Sequence, residues 1–195
     1  MKTIAALTFG GFALSGLFLN ANVHNADAEN YKIDAVHSTA LFRIQHVGAG
    51  NFYGRFNDVE GKFTFSETDD AANNVEVSIK ADSIDTNNKQ RDDHLRGPDF
   101  FNVKQFPRLT FKSSSFKKSG DKKYKITGDL TIHGVTKTIA VDVDHVGTAE
   151  SERAGKRCGF EGMFTVKRSE YGINFMPGGL GEEVRIIVAL EGVKE

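Results

Sequence analysis

From Tyr31 onward the chain alternates apolar and polar residues with a period of two, and this leaves few folds open. Successive side chains in a strand point to opposite faces, so the pattern describes strands with one buried face. In Ser38–Val47, Ala40, Phe42, Ile44 and His46 share a face against Thr39, Arg43 and Gln45. Gly48, Gly50 and Gly54 break that run. Phe52, Phe56, Val59, Gly61, Phe63 and Phe65 follow, and a one-residue slip at Asn57-Asp58 predicts a bulge or bend inside a long strand. Val75, Val77, Ile79 and Ala81 then alternate with Glu76, Ser78, Lys80 and Asp82.

The same period returns in Tyr124–Ile132, Ile139–His145, Phe160–Arg168 and Val184–Leu190. Asp69–Asn74 and Ser119-Gly120-Asp121 read as turns, His133-Gly134-Val135-Thr136 as a tight hairpin connection and Thr148–Gly155 as a polar loop. One stretch refuses the pattern. Ser83–Phe111 has no alternation, yet Leu95, Phe100, Phe101, Val103 and Phe106 within it need burial, and Pro98 and Pro107 punctuate it. Asn87 or Asn88 can cap a short helix over Lys89–Arg96 that stops at Gly97-Pro98. So brief a helix needs tertiary packing to hold it.

Eight or nine strands joined mostly by short turns, with one helical insertion, predict an all-β fold. The phenylalanine excess, 16 against four Tyr and no Trp, favours a barrel with Phe on its inward face. Such a run suits a sandwich or an up-and-down antiparallel barrel, and with the phenylalanine excess we expect the barrel, of about eight strands, the size that encloses one ligand. The helical segment would close one end. Rings that simply fill a solid core are the competing reading.

Residues 1–28 read as a cleaved secretory signal peptide: Lys2, an uncharged run Ile4–Leu19, and the small-x-small signal Ala26-Asp27-Ala28. The mature domain is then 29–195, and the expected location is periplasmic or secreted. An uncleaved anchor is the alternative. A formal net charge of −1 gives no electrostatic footprint for nucleic acid. Lys117, Lys118, Lys122 and Lys123 read as a solvated hairpin end. Cys158, the single cysteine, has no internal disulfide partner and reads as a small buried hydrophobe.

Chemistry is scarce. GAGNFYG at Gly48–Gly54 has the wrong spacing for a dinucleotide fingerprint and no helical pattern follows it. The chain holds no G-x-S-x-G elbow, no phosphate-cradling loop and no H-E-x-x-H. Asp92-Asp93-His94 is the one acid–His cluster, but consecutive helical residues diverge, so no metal ligand set is assigned. Instead Arg91 and Asp92 are expected to make local hydrogen bonds while His94 faces the barrel mouth. Arg168 falls on an apolar face, where it either bonds carbonyls or Glu170, or meets a ligand's polar head. His46 poses the same choice. An enzyme using His46 or His94 with Asp92 or Asp93 stays as a second reading, and a solid-core envelope-stress protein as a third.

Several short motifs occur together: D-x-x-H-S at Asp34–Ser38, F-x-I-x-H at Phe42–His46, G-x-F at Gly54–Phe56 and S-I-D-T at Ser83–Thr86. R-D-x-H-L at Arg91–Leu95, D-F-F-x-V at Asp99–Val103 and F-P-x-L-x-F at Phe106–Phe111 continue the series. G-D-L-T-I-H-G-V-T-K at Gly128–Lys137 and R-S-E-Y-G-I at Arg168–Ile173 complete it. In this order, over essentially all of the mature chain, they resemble the YceI-like family of secreted bacterial proteins. The resemblance implies an extended lipocalin-type barrel that binds a polyisoprenoid, an isoprenoid quinone or another long-chain amphiphile such as a fatty acid. It implies no enzyme activity, no cofactor, no nucleic acid and no stable membrane insertion, and is compatible with a homodimer. The ligand contacts expected are Phe42, Ile44, His46, Phe56, Phe63, Phe65, His94, Leu95, Phe100, Phe101, Ile126, Leu130, Val141, Phe160, Phe164 and Arg168. His46, Arg91, His94 and Arg168 are candidates for a polar end.

Overall fold

A computed structural model describes residues 27–195; of the expected leader, 1–28, residues 1–26 lie outside the described residues. The elements in chain order are β1 (Glu29–Ile33), β2 (Thr39–His46), β3 (Gly50–Phe56), β4 (Val59–Phe65), β5 (Asn74–Lys80) and β6 (Ile84–Asp85). Helix α1 (Lys89–Leu95) precedes β7 (Arg108–Gly120), β8 (Lys123–Ile132), β9 (Val135–Ser151), β10 (Gly155–Lys167) and β11 (Leu180–Lys194).

The pairing register turns these eleven strands into eight staves. β1 and β2 lie end to end along one edge of β11, with Ile33 opposite Gly192 and Thr39 opposite Ala189. β4 and β3 lie end to end beside them, and β5 and β6 beside those. From β7 to β11 each strand pairs antiparallel with the next, and the β1–β11 pairing closes the ring. The result is the up-and-down antiparallel barrel expected from the alternation. The slip at Asn57-Asp58 is the joint between β3 and β4.

The matching joint between β1 and β2 explains the D-x-x-H-S motif. Asp34 N–H and Ser38 Oγ both donate to the Glu191 carbonyl, at 2.8 and 3.3 Å, and Glu191 N–H donates to Ser38 Oγ at 3.0 Å. Arg157 from β10 reaches across, donating to Asp34 Oδ2 and Glu191 Oε1 at 2.6 Å each. Its guanidinium and the His37 ring hold the Asp34 carboxyl well below the usual carboxylate range.

Two sequence boundaries need correcting. Thr148–Gly155 is not a loop: β9 runs to Ser151 and β10 starts at Gly155. The last strand is likewise longer than Val184–Leu190, spanning Leu180–Lys194. Both extensions reach the barrel ends, where polar residues on both faces hide the period while the backbone ladder continues. The helix stands as expected. Asn88 is its N-cap, its Oδ1 accepting from Arg91 N–H at 3.0 Å.

All connections at one end of the barrel come from the same set: 47–49, 86–107, 133–134 and 168–179. The opposite end carries 66–73, 121–122 and 152–154. That second end is a solid aromatic plug of Tyr31, Phe63, Phe65, Phe116, Tyr124, Cys158 and Phe160. Phe65 packs edge-on to Tyr124 and Phe160, at centroid distances of 5.5 and 4.9 Å. Buried in the plug, the His145 ring stacks on Phe160 at 5.0 Å, and its Nε2 lies 3.1 Å from Thr148 Oγ1 and 3.5 Å from Cys158 Sγ. Burial pushes the Cys158 thiol up to about 11, the behaviour of an inert core residue.

Burial also lowers the His145 pKa from its ordinary 6.5; the Glu67 carboxylate opposes this, and Lys122 and Lys118 add to it. The unfolded chain therefore binds this proton more readily than the folded one. Stability is full above about pH 6.5 and falls as pH drops from there toward the folded value, by at most ~1.4 kcal/mol per unit. Urea unfolding at pH 7 and pH 5.5 should show this loss, and His145→Gln should flatten it within that window.

The β2–β3 hairpin turns on Val47 and Gly48, with φ of 45° and 71°, and Ala49 N–H donates to His46 O at 3.0 Å. A β-branched residue is strained in this left-handed conformation, which Asn adopts readily. Val47→Asn should raise stability by about 1 kcal/mol, read as a higher denaturation midpoint.

Candidate functional site

Above the plug the barrel is hollow. A cavity of about 670 Å³ runs from the ring of Phe63, Phe116 and Phe160 up to the loop end. Its walls follow from the alternation: Phe42 and Ile44 of β2, Ile126 and Leu130 of β8, Val141 of β9 and Phe164 of β10 all face it. Eleven phenylalanines border it in total. Polar side chains collect near the mouth, as His46, Asn51, Arg91 and His94.

Of the sixteen contact positions expected from sequence, fifteen border this cavity. The exception is Phe65, whose ring belongs to the plug, behind Phe160 and against His145. Alternation placed it correctly indoors, but depth along the barrel axis has no signature in a period of two. Phe52, Phe111, Phe175 and Tyr171 border the cavity as well and were not foreseen as contacts. Phe52 shares its face of β3 with the expected Phe56, and Phe111 lies opposite the expected Leu130 of the neighbouring strand. Tyr171 and Phe175 lie in an irregular connection that no periodicity describes.

The segment 86–107 caps the mouth, and its anchoring is polar on one side and apolar on the other. Asp92, buried, accepts from Thr86 N–H at 2.9 Å and from the Thr86 hydroxyl. Arg91 donates to Thr86 Oγ1 and O at 2.8 and 2.7 Å, and its guanidinium lies 4.1 Å above the Phe52 ring. Arg96 donates to the Asp82 and Ile84 carbonyls at 2.8 and 2.9 Å. The other face sends Leu95, Phe100, Phe101 and Val103 into the core around the cavity. The local hydrogen bonds expected for Arg91 and Asp92 are present.

His94 faces the mouth, with Nε2 2.9 Å from Asp99 Oδ2 and edge contacts to Phe100 and Phe175 at 5.1 and 5.0 Å. The acids named with it in the catalytic reading are elsewhere: Asp92 serves Thr86, and Asp93 pairs with Lys89 and Arg96. His46 is exposed at the rim.

Arg168 resolves to carbonyl bonding. It is buried and donates to Gly181 O, Ile173 O, Phe175 O and Leu180 O at 2.8–3.2 Å. Glu170 pairs with Lys137 instead. The guanidinium thus holds the connection 172–180 in place as a rigid part of the rim, a use of its fork geometry that a lysine would not reproduce. Beside it, the buried Tyr171 hydroxyl has no hydrogen-bond partner among the described residues, although its ring borders the cavity.

Comparison with known proteins accords with this geometry. The chain is 41% identical over 196 residues to a Pseudomonas aeruginosa protein named UPF0312 protein, covering 100% of this chain and 98% of that one. Its fold is similar to that of Burkholderia cenocepacia BcnA, with TM-score 0.75 and 25% identity over 82% of this chain and 98% of that one. A Saccharophagus degradans structure, described as a polyisoprenoid binding domain, shares the fold at TM-score 0.64 and 16% identity, over 85% of this chain and 98% of that one. Residues 31–192 match the YceI-like domain. That match spans most of the chain, which therefore belongs to the YceI-like domain family.

Proposed function

We propose that the protein binds a long-chain amphiphile, a polyisoprenoid, isoprenoid quinone or fatty-acid-like lipid, and carries or sequesters it without transforming it. The observation that carries this reading is the cavity: one apolar chamber with a solid floor, phenylalanine walls and polar groups near the mouth. That is the arrangement a ligand with a long apolar tail and a small polar end requires. The fold shared with a polyisoprenoid binding domain supports it. Binding rather than catalysis is favoured by the almost wholly apolar lining; Asp92 and Asp93 serve Thr86, Lys89 and Arg96, and His94 pairs with Asp99 at the half-exposed mouth. The uncharged run Ile4–Leu19 and Ala26-Asp27-Ala28 support export to the periplasm or exterior.

The magnitudes are adequate. A methylene group occupies about the ~30 Å³ share of a water molecule, so a 670 Å³ chamber accepts roughly 20 such groups. At ~0.8 kcal/mol each the gross gain is about 16 kcal/mol. Association and ordering take back at least about 4 kcal/mol and often much more, which leaves micromolar or tighter binding within reach.

Native mass spectrometry of the exported protein, and organic extraction of it, should release a long-chain apolar molecule. Repeated ligand-free preparations that also fail to take up an isoprenoid quinone would overturn the reading. The partnerless Tyr171 hydroxyl supplies a sharper test. Removing it costs the empty protein nothing and gains up to about 1 kcal/mol, because a buried donor without a partner is a penalty. Tyr171→Phe should therefore be at least as stable as wild type. If the hydroxyl reads a carbonyl on the ligand, the variant should bind a quinone about five- to tenfold more weakly while its affinity for the matching hydrocarbon is unchanged.

A further inference from the structure

The two ends of the barrel differ in chemistry. Connections at the plugged end carry Glu67, Asp69, Asp70, Asp121 and Glu152 against two cations, Lys122 and Arg153. At the mouth the charges are confined to 86–107 and to Arg168 and Glu170, while the loops 47–49 and 172–179 carry none. They expose bulky apolar side chains instead: Val47 at 53%, Met176 at 40% and Phe175 at 38% relative accessibility.

These three form one ridge. Val47 N–H donates to Gly179 O at 2.7 Å, which ties the two loops together. The Met176 side chain covers the same glycine, so closely that a Cβ on Gly179 would collide with Met176 Cε. Phe175 continues the ridge onto the cap, with its ring 5.1 Å from Phe100. Both Val47 and Met176 hold positive φ, 45° and 53°, at turn tips where Asn or Gly would be at ease. Phe175 and Met176 also border the cavity, so the ridge is continuous with the chamber's apolar wall.

We propose that this ridge is a docking surface for a lipid bilayer. The inference rests on the lipid-binding reading above, and extends it to where the ligand is collected. A long-chain isoprenoid has negligible solubility as a monomer in water, so the chamber fills fastest when its mouth opens directly into lipid. Shallow entry of Val47, Phe175 and Met176 into the headgroup–acyl boundary achieves this without a spanning element. An apolar ridge with no charge on its own loops has little other reason to surround the opening.

The test uses the mature chain and phosphatidylcholine vesicles carrying an isoprenoid quinone. The chain has no tryptophan, so Phe175→Trp places a single reporter on the ridge. Its emission should shift to the blue when vesicles are added. Val47→Asp keeps a side chain that the left-handed turn accepts but places a charge on the ridge. It should co-float with vesicles less and take up quinone from them at least about tenfold more slowly. Its affinity for a short-chain, water-soluble quinone should match wild type. Unshifted Phe175→Trp emission, together with wild-type flotation and uptake by Val47→Asp, overturns the docking surface. If the wild type rejects the soluble quinone as well, the binding reading has failed, and flotation with the emission shift still decides the docking.

Discussion

Everything in this barrel depends on ring closure between β1 and β11, and closure depends on bending the staves that flank it. A sheet that closes leaves no unpaired edge, but its strands must bend to wrap a cylinder. Here the bends are the joints at Asp34–Ser38, Asn57-Asp58 and Ala81–Ser83, one on each of three neighbouring staves. The first is pinned by Ser38 and Glu191 exchanging hydrogen bonds and by Arg157 bridging Asp34 to Glu191. Arg157 therefore links β10, β11 and the β1–β2 joint in one ion network. A cluster of an aspartate, a histidine and a glutamate that looks like a ligand set is here the clamp at a bend.

Closure alone does not make a chamber. Aromatic packing fills one end completely, with Phe65, Phe116, Tyr124, Phe160 and His145 in mutual edge and stacked contact. The other end stays open because its connections are held outward by polar bonds. Arg168 directs its donors to the carbonyls of 173–181, Arg91 and Asp92 fix the cap's helix to Thr86, and Arg96 ties it to Asp82 and Ile84 at β6. The chain thus uses buried polar groups as scaffolding around an apolar space. The cost of burying Arg168 and Asp92 is offset by their partners, whereas the Tyr171 hydroxyl on the chamber's wall, like Arg43 Nε and His133 Nε2 elsewhere, has none among the described residues.

Much of this was legible beforehand because a period of two reports which face of a strand is indoors. Phe42, Ile126, Leu130 and Phe164 were placed by that rule, and the anomaly at 83–111 was recognisable as a cap because apolar residues without a period still need burial. The rule is silent on depth, so Phe65 was expected in the chamber and sits beneath it. It is silent too on irregular backbone, which is why Tyr171 and Phe175 went unnoticed. For Arg168 the sequence offered carbonyls, Glu170 or a ligand, and could not choose between them, since its partners arrive through a turn that folds 173–181 over the guanidinium.

What the sequence alone determined is therefore the inside and outside of each stave, the hairpin order and the presence of one non-strand cap. These are local consequences of side-chain alternation and turn chemistry. Whether the inside is full or hollow was decided only in three dimensions. It depends on how far eight bent staves stand apart at each height, and on which rings meet across the axis. Phe65 and Phe164 are the same residue type on inward faces; one closes the floor and the other lines the space above it.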